Sequence, residues 1–229
     1  PTTNAQPADV VIGQTDFTSG SSGIGPDKLY YPGGVIVTQD GKLIITELYN
    51  NRVLIFNQIP TTNGASADVV VGQEDFYSNS QGVGPNKLNG PWYSAVSNDG
   101  KLLIGDERNH RILIYNEFPT TNGASADIVI GQVDFYTNTF GTSDSTFNYP
   151  IGVTVSPTGE LAIGEFGNNR VLIFNEIPTS NNAKADYVLG QPDFYSNTAF
   201  NGGISEKSMR SPYGINFDLN GRLYVNGSD

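Results

Sequence analysis

The 229-residue sequence contains no cysteine, which excludes disulfides, thiolate metal ligands and cysteine nucleophiles. Positive charge is also scarce, because 12 lysines and arginines stand against 23 aspartates and glutamates, for a formal net charge of −11. Nucleic acids and anionic membranes bind clustered positive charge, so we expect neither as a partner. No apolar run approaches the roughly 18 residues of a membrane span, and no signal-peptide pattern opens the sequence.

Histidine occurs once, as His110, so histidines cannot build a zinc site. The sequence also shows no Ser-His-Asp constellation, phosphate-binding glycine loop or EF-hand string. These absences predict a protein without catalytic residues and without a cofactor. A calcium ion held by carboxylates is the one metal that stays open as an alternative.

What the sequence does contain is a repeat of 59 residues. The motif Gly-Gln-x-Asp-Phe begins at four equally spaced glycines: Gly13, Gly72, Gly131 and Gly190. Four units therefore start at Pro1, Pro60, Pro119 and Pro178, and together they make residues 1–229 one repeat region. The last unit carries a three-residue insertion before Pro212 and is incomplete at its end.

Each unit reads as four short strands, A to D, separated by turns. In the stretch 33–72 the apolar runs are GVIV, KLIITE, RVLIFN and ADVVVG. Asp40-Gly41, between the first two, predicts a tight hairpin with a type I′ turn. The runs are continuous rather than alternating, which predicts apolar neighbours on both faces of the sheet.

Repeated four-stranded antiparallel sheets that are buried on both faces predict the blades of a β-propeller. The fold class is therefore all-β, with about four blades in this chain as part of a larger propeller. A stacked β-helix is the rival, although its rungs are usually shorter and lack such hairpins. The phenylalanines that close the motif are expected to pack between blades: Phe17, Phe76, Phe135 and Phe194.

These motifs also resemble a known family. The pattern P-x-G-V-x-V, followed by D-G-x-L-x-I, an acidic residue and N-N-R-V-L-I-F, is similar to the NHL repeat over essentially the whole chain. The resemblance implies a β-propeller, and the long unit resembles bacterial exported NHL-type proteins. It leaves function open, because this scaffold serves protein binding, RNA binding and several enzymes.

An acidic residue ends strand B five positions before the arginine that begins strand C. The pairs are Glu47 with Arg52, Asp106 with Arg111 and Glu165 with Arg170. The interpretation we favour is an ion pair inside each blade. The alternative is a ring of carboxylates around a channel that holds a divalent cation, and NHL-like lactonases imply calcium there.

The B–C turns and D–A loops differ between units and are expected to share one face, which we call the loop face. These turns and loops carry aromatic residues and arginines, which are typical of recognition surfaces, although the side chains could instead pack between blades. The predicted binding residues are Tyr30, Tyr31, Tyr49, Trp92, Tyr93, Arg108, Tyr149, Phe166 and Tyr213. The opposite face, with its nearly unchanged PTTNGAS loops, is expected to be inert.

The sequence thus predicts a noncatalytic module that presents its loop face to a protein or glycan. Absence of cysteine, few lysines and many small polar residues predict a secreted or cell-surface protein. Two other classes stay open: a metal-dependent lactonase or lyase with a site in the central channel, and a structural repeat of a surface assembly. The ends of the chain leave three arrangements open, namely a piece of a longer protein, a four-blade ring with a defective seam, or self-association through the end strands.

Overall fold

A computed structural model describes residues 4–228 and shows an all-β chain. Three sheets have four antiparallel strands in chain order, and the fourth sheet is a hairpin of two strands. The only helical segments of the described chain are two 3-10 turns, Glu107–Asn109 and Phe166–Asn168. None of its helices is long and apolar enough to cross a membrane.

The strands lie where the apolar runs predicted them, with ends shifted by a residue or two. The first sheet comprises β1 (Pro32–Val37), β2 (Leu43–Glu47), β3 (Arg52–Phe56) and β4 (Val69–Val71). The second comprises β5 (Pro91–Val96), β6 (Leu102–Asp106), β7 (Arg111–Tyr115) and β8 (Ile128–Ile130). The third comprises β9 (Pro150–Val155), β10 (Leu161–Glu165), β11 (Arg170–Phe174) and β12 (Tyr187–Leu189). The hairpin is formed by β13 (Pro212–Phe217) and β14 (Leu223–Gly227).

The sheets gather about an axis as blades, which confirms the propeller. The first strands of successive sheets contact each other, because β1 packs on β5, β5 on β9 and β9 on β13. Two apolar clusters bridge neighbouring sheets: one joins Ile44 and Val53 to Leu102 and Leu113, and the other joins the second sheet to the third. Burial between sheets is therefore what holds the blades together.

Burial on both faces holds for the second sheet and for most of the first and third, but the prediction is wrong at β1, at β12 and in the final hairpin. Val35 and Val37 in β1 are exposed, as are Tyr224 and Val225 in β14. The residues before the first sheet cover its other face, because Ile12 and Leu29 pack against its apolar cluster, whereas β14 has no such cover among the described residues and is mostly exposed. Phe17 is likewise exposed, contrary to expectation, whereas Phe76, Phe135 and Phe194 pack against apolar clusters.

The A–B hairpin is tight, but its predicted type I′ turn is wrong. A type I′ turn needs positive φ at both central residues, and only Gly41 (φ 85°) has it. The Gly41 N–H donates to the Thr38 carbonyl at 3.0 Å, and the Thr38 N–H donates to the Lys42 carbonyl at 2.9 Å. This is the pattern of a type I turn followed by a left-handed glycine, which requires glycine at one position only.

The loops between strands C and D join neighbouring units, because each one clasps the preceding unit. The Oδ1 atoms of Asn63, Asn122 and Asn181 accept the backbone N–H of Val11, Val70 and Val129, each at 3.0 Å. A backbone N–H of the same loop also donates to the carbonyl of that valine. The asparagine of the PTTN motif therefore connects neighbouring blades. Residues 10–12 correspond to β4 in the 59-residue repeat but lie in no sheet of the described chain, although the same clasp holds them.

Candidate functional site

The loop face rests on a buried ion pair in each complete blade, which confirms the interpretation favoured from the sequence. The arginine Nε and the carboxylate are 2.5 Å apart in Arg52–Glu47 and Arg170–Glu165, and 2.8 Å apart in Arg111–Asp106. All six side chains have no exposed surface. The carboxylates therefore neutralise arginines of their own blade and do not form a ring that holds a cation.

Each arginine also ties together the loops that carry the candidate residues. The Arg52 guanidinium donates to the carbonyls of Phe76, Gly25 and Lys28, at 2.7 to 3.0 Å. Its partner Glu47 accepts the backbone N–H of Tyr30 at 2.6 Å. The same bonds recur in the other two blades, from Asn89 to Asp106 and from Asn148 to Glu165. The buried pair thus fixes the backbone from which the loop-face side chains project.

Burial sets the electrostatics of these carboxylates. Desolvation raises the pKa of Glu165 to about 7, although the Arg170 charge and the N–H donors of Asn148 and Asn168 oppose the shift. Desolvation likewise raises the pKa values of Glu47 and Asp106. A carboxylate in this position depends on its arginine to remain charged, so the guanidinium cannot be removed without a large cost.

The residue before the first strand of every blade adopts a left-handed conformation. It has φ of 58° at Tyr31, 64° at Gly90, 49° at Tyr149 and 43° at Ser211. Glycine adopts this conformation without strain, whereas a bulky side chain there costs about 1–2 kcal/mol. Two blades nevertheless carry tyrosine, and strained residues of this kind cluster at binding sites.

In the second, third and fourth blades this residue is also linked to the preceding blade. The B–C turn of one blade ends in a left-handed residue whose side chain accepts a backbone N–H at the start of the next blade. Asn51 accepts from Gly90 at 2.8 Å, and Asn169 accepts from Ser211 at 2.9 Å. In the middle blade, His110 Nδ1 accepts from Tyr149 at 3.2 Å. His110 is therefore a turn residue at the position where the other blades have asparagine, and desolvation lowers its pKa.

Five of the nine predicted binding residues line a single groove on the loop face, with a volume of about 440 Å³. They are Trp92, Tyr93, Tyr149, Phe166 and Tyr213. The groove is contributed by three successive blades, because these residues belong to the second, third and fourth sheets and their loops. We call it the aromatic groove. Its size lies within the usual range of ligand pockets, roughly 300–1,000 Å³.

The other four predicted residues form a patch beside the groove. The Tyr49 ring lies 5.0 Å from Tyr30 and 4.9 Å from Tyr31, measured between centroids. Trp92 joins the patch to the groove, since its ring is 5.8 Å from Tyr31. Arg108 extends over the Tyr49 ring, with Cζ 6.0 Å from its centroid. The B–C turns and D–A loops thus share one face, as predicted.

The two interpretations of these aromatics both apply, to different residues. Phe166 and Tyr149 are each 41% exposed, so their rings are available to a ligand. Tyr93, in contrast, packs against the apolar cluster between the second and third sheets. Tyr93 therefore serves the framework as well as the groove, and it is a poor choice for a variant that tests binding alone.

Sequence reasoning missed two groove residues, Glu107 and Ile151. Glu107 occupies the first position of the B–C turn, where the first and third blades have Leu48 and Phe166. The difference between units at this position was a signal for Glu107, but the predicted binding residues were chosen mainly for their aromatic side chains. Reasoning also passed over Tyr77, Tyr136 and Tyr195, which occupy one repeat position and are 72–73% exposed.

A second cavity, of about 590 Å³, lies where the first strands of the blades converge. Its walls come from β1, β5, β9 and the final hairpin. Within residues 4–228 this lining includes hydroxyl and amide side chains but no carboxylate, imidazole, lysine or arginine. Nor do three or more acidic or histidine side chains of the described chain come close enough together to hold a metal ion.

Comparisons with known proteins agree with the fold. The family model described as "NHL repeat" matches residues 147–174, which include the first three strands of the third blade. A structural genomics protein of unknown function from Bacteroides thetaiotaomicron has a TM-score of 0.55 and 17% identity, covering 86% of this chain and 44% of its own. Hydrazine synthase from Kuenenia stuttgartiensis has a TM-score of 0.52 and 12% identity, covering 92% of this chain and 44% of its own. Virginiamycin B lyase from Staphylococcus aureus has a TM-score of 0.49 and 15% identity, covering 86% of this chain and 48% of its own.

At identities this low, the two structures with TM-scores above 0.5 show a shared fold alone. The chain spans about half the length of these solved structures, and the search of curated proteins finds no match. The sheet order, the contacts between first strands and the family model nevertheless agree. The chain is a β-propeller region with three complete four-stranded blades and a fourth two-stranded one, and it carries an NHL repeat at residues 147–174.

Proposed function

We propose that the chain is a noncatalytic binding module that presents its loop face to a protein or glycan, within a bacterial protein that is secreted or displayed at the cell surface. The aromatic groove is the ligand site. The observation that carries the proposal is that five aromatic side chains from three blades converge on one groove. One of them, Tyr149, occupies a strained backbone position that glycine would fill at lower cost.

The electrostatics of the framework favour this function over a lactonase or lyase in the central channel. Such an enzyme needs carboxylates or histidines free to bind a metal or move a proton. In this chain the three strand-end carboxylates are each engaged by the arginine of their own blade. The described lining of the central cavity contains no substitute for them.

The composition of the groove fits recognition. Aromatic residues supply large contact areas at low cost in side-chain entropy, and they dominate the binding energy of many interfaces. The patch of Tyr30, Tyr31, Tyr49 and Arg108 extends the same surface onto the first blade. A partner that fills the groove could therefore contact all four blades on this face.

The sequence provides its own reporter, because its single tryptophan, Trp92, lines the groove. Arrays of synthetic peptides and of purified glycans would identify ligands, and titration of Trp92 fluorescence would measure their affinity. We expect the double variant Phe166→Ala/Tyr213→Ala to lose affinity by about tenfold or more, because both rings line the groove. Its melting temperature should remain within a few degrees of the wild type, since both rings are substantially exposed.

The matched control is Tyr136→Ala, which removes an equally large ring that is 73% exposed and lies outside the groove. This variant should bind as the wild type does. The proposal fails if the double variant binds normally. It also fails if the double variant melts more than about ten degrees lower, because the rings would then belong to the core rather than to a recognition surface.

A further inference from the structure

The aromatic groove contains one charged side chain, Glu107, among its lining residues. Glu107 begins the 3-10 turn Glu107–Asn109, and its backbone carbonyl accepts the N–H of His110 at 3.1 Å. Its backbone is therefore fixed by the turn, while its side chain lines the groove. The other lining residues are Ile151 and the five aromatics.

The Glu107 carboxylate lacks the ion-pair partner that each strand-end carboxylate has in the arginine of its own blade. Its Oε2 atom is buried and accepts no hydrogen bond from the protein. Within residues 4–228, no lysine or arginine forms an ion pair with it. Burial raises the pKa of Glu107, and the neighbouring Arg108 charge only partly opposes the shift. Glu107 therefore lines the groove with an incompletely paired carboxylate, and a ligand that donates a hydrogen bond to this carboxylate stabilises it.

The rings around this carboxylate favour a positively charged donor. Aromatic faces attract ammonium and guanidinium groups, and the attraction grows when the cation is desolvated. The loop face already shows this contact, because the Arg108 guanidinium lies over the Tyr49 ring. The net charge of −11 also attracts cations toward the chain.

From this arrangement we infer that the aromatic groove binds a basic side chain, an arginine or a lysine in native or methylated form, presented by a protein partner, with Glu107 accepting its hydrogen bonds and the aromatic rings enclosing it. The inference rests on the proposed binding function and specifies the chemistry of the ligand. At about 440 Å³ the groove holds the side chain together with part of the partner backbone on either side. A neutral glycan would leave the Glu107 charge without a counterion.

The probes are acetylated tripeptide amides, Gly-Xaa-Gly, in which Xaa is arginine, lysine, trimethyllysine or citrulline. Citrulline has nearly the shape of arginine without its charge. Trp92 fluorescence is titrated at constant ionic strength, because weak attraction to an acidic chain depends on salt. We expect saturable binding of the cationic probes, and binding of citrulline weaker than that of arginine by about tenfold or more.

The variant Glu107→Gln keeps the size of the side chain and removes its charge. It should weaken the cationic probes by about tenfold or more and leave the affinity for citrulline unchanged. Glu117→Gln is the matched control, because it changes the net charge equally at an exposed residue beyond β7 and outside the groove. Glu117→Gln should bind all probes as the wild type does. If Glu107→Gln does not fold, the comparison of arginine with citrulline still decides the question in the wild type.

The inference is overturned if citrulline binds as tightly as arginine, if Glu107→Gln binds the cationic probes normally, or if no cationic probe saturates. Neutral oligosaccharides are titrated alongside to separate this failure from failure of the proposed function. If they saturate, and Phe166→Ala/Tyr213→Ala abolishes their binding while Glu107→Gln does not, the groove remains a ligand site but the basic side chain is wrong. If cationic probes bind Phe166→Ala/Tyr213→Ala as well as the wild type, the groove is not the site and both proposals fail.

Discussion

Replacement of Tyr149 by glycine and by alanine tests whether the loop face stores backbone strain. Tyr149 has φ of 49°, and its ring lies 4.8 Å from the His110 ring. Both variants lose the same ring, which is 41% exposed. Alanine keeps the left-handed strain, whereas glycine relieves it.

The magnitudes follow from these contacts. An aromatic pair contributes about 0.5–1.5 kcal/mol beyond its buried area, and the left-handed strain is about 1–2 kcal/mol. In Tyr149→Gly the gain offsets much of the loss, so its stability should lie within about 1–2 kcal/mol of the wild type. We expect Tyr149→Gly to be more stable than Tyr149→Ala by about 1 kcal/mol. For a domain of this size that difference corresponds to about 2–4 °C in melting temperature.

Urea denaturation followed by circular dichroism measures the difference, and Tyr213 provides the control. Tyr213 lies inside β13 and has no positive φ. Glycine in a strand is less stable than alanine by roughly 0.5–1 kcal/mol, so the order of the two variants should reverse at Tyr213. The reasoning is refuted if Tyr149→Gly is no more stable than Tyr149→Ala, or if the two sites show the same order.

Three further outcomes are expected. Arg111→Met should lower the free energy of unfolding by about 3–5 kcal/mol in urea denaturation, because it leaves the buried Asp106 carboxylate uncompensated; a loss equal to that of the exposed Lys184→Met variant would contradict this. Gly72→Ala should cost about 1–3 kcal/mol through overpacking, because a Cβ at this position would lie 2.5 Å from Leu88 Cδ1, in addition to the strain of positive φ. Gly41→Ala has similar φ and open space around it, so it should show the strain alone, and equal losses at both glycines would exclude the clash. The His110 pKa, measured from the NMR shifts of the single histidine, should lie below its usual value of 6.5, since burial favours the neutral ring whose Nδ1 accepts the Tyr149 N–H. Because the pKa of His110 is lower in the folded than in the unfolded protein, its contribution to stability is complete above pH 6.5 and decreases as the pH falls toward the folded-state pKa. His110→Asn should remove this pH dependence while keeping a side-chain acceptor for the Tyr149 N–H. An unchanged pH profile in that variant would show that His110 is not responsible.

Much of this fold could be predicted from the sequence because several independent motifs recur with the same 59-residue period. The runs that end in Glu47 and begin at Arg52 predicted strands and an ion pair, and both are present because a buried charge needs a partner at a fixed distance. The turn type at Gly41 was predicted wrongly, because an Asp-Gly pair fits two hairpin geometries that differ in the φ of the first residue.

The candidate site was predictable in part. Aromatic residues at the start of each first strand indicated a surface, but sequence could not tell that Tyr93 packs inward while Phe166 remains accessible. The role of Glu107 depends on which donors reach its carboxylate in three dimensions, and no spacing encodes the absence of a donor. The role of Asn122 was also missed. Its bond to Val70 joins residues 52 positions apart, and its presence in every unit suggested an ordinary loop.

The asparagine clasps have a consequence for how such a chain can change in length. The asparagine of one unit accepts a backbone N–H from the unit before it. Asn122 accepts from Val70 in this way, and Asn181 accepts from Val129. Duplication or excision of a whole 59-residue segment would therefore join ends that already fit, without any new contact chemistry. The number of blades can therefore change by recombination between repeats. The loop-face side chains can change in one unit at a time while the bonds between units are kept.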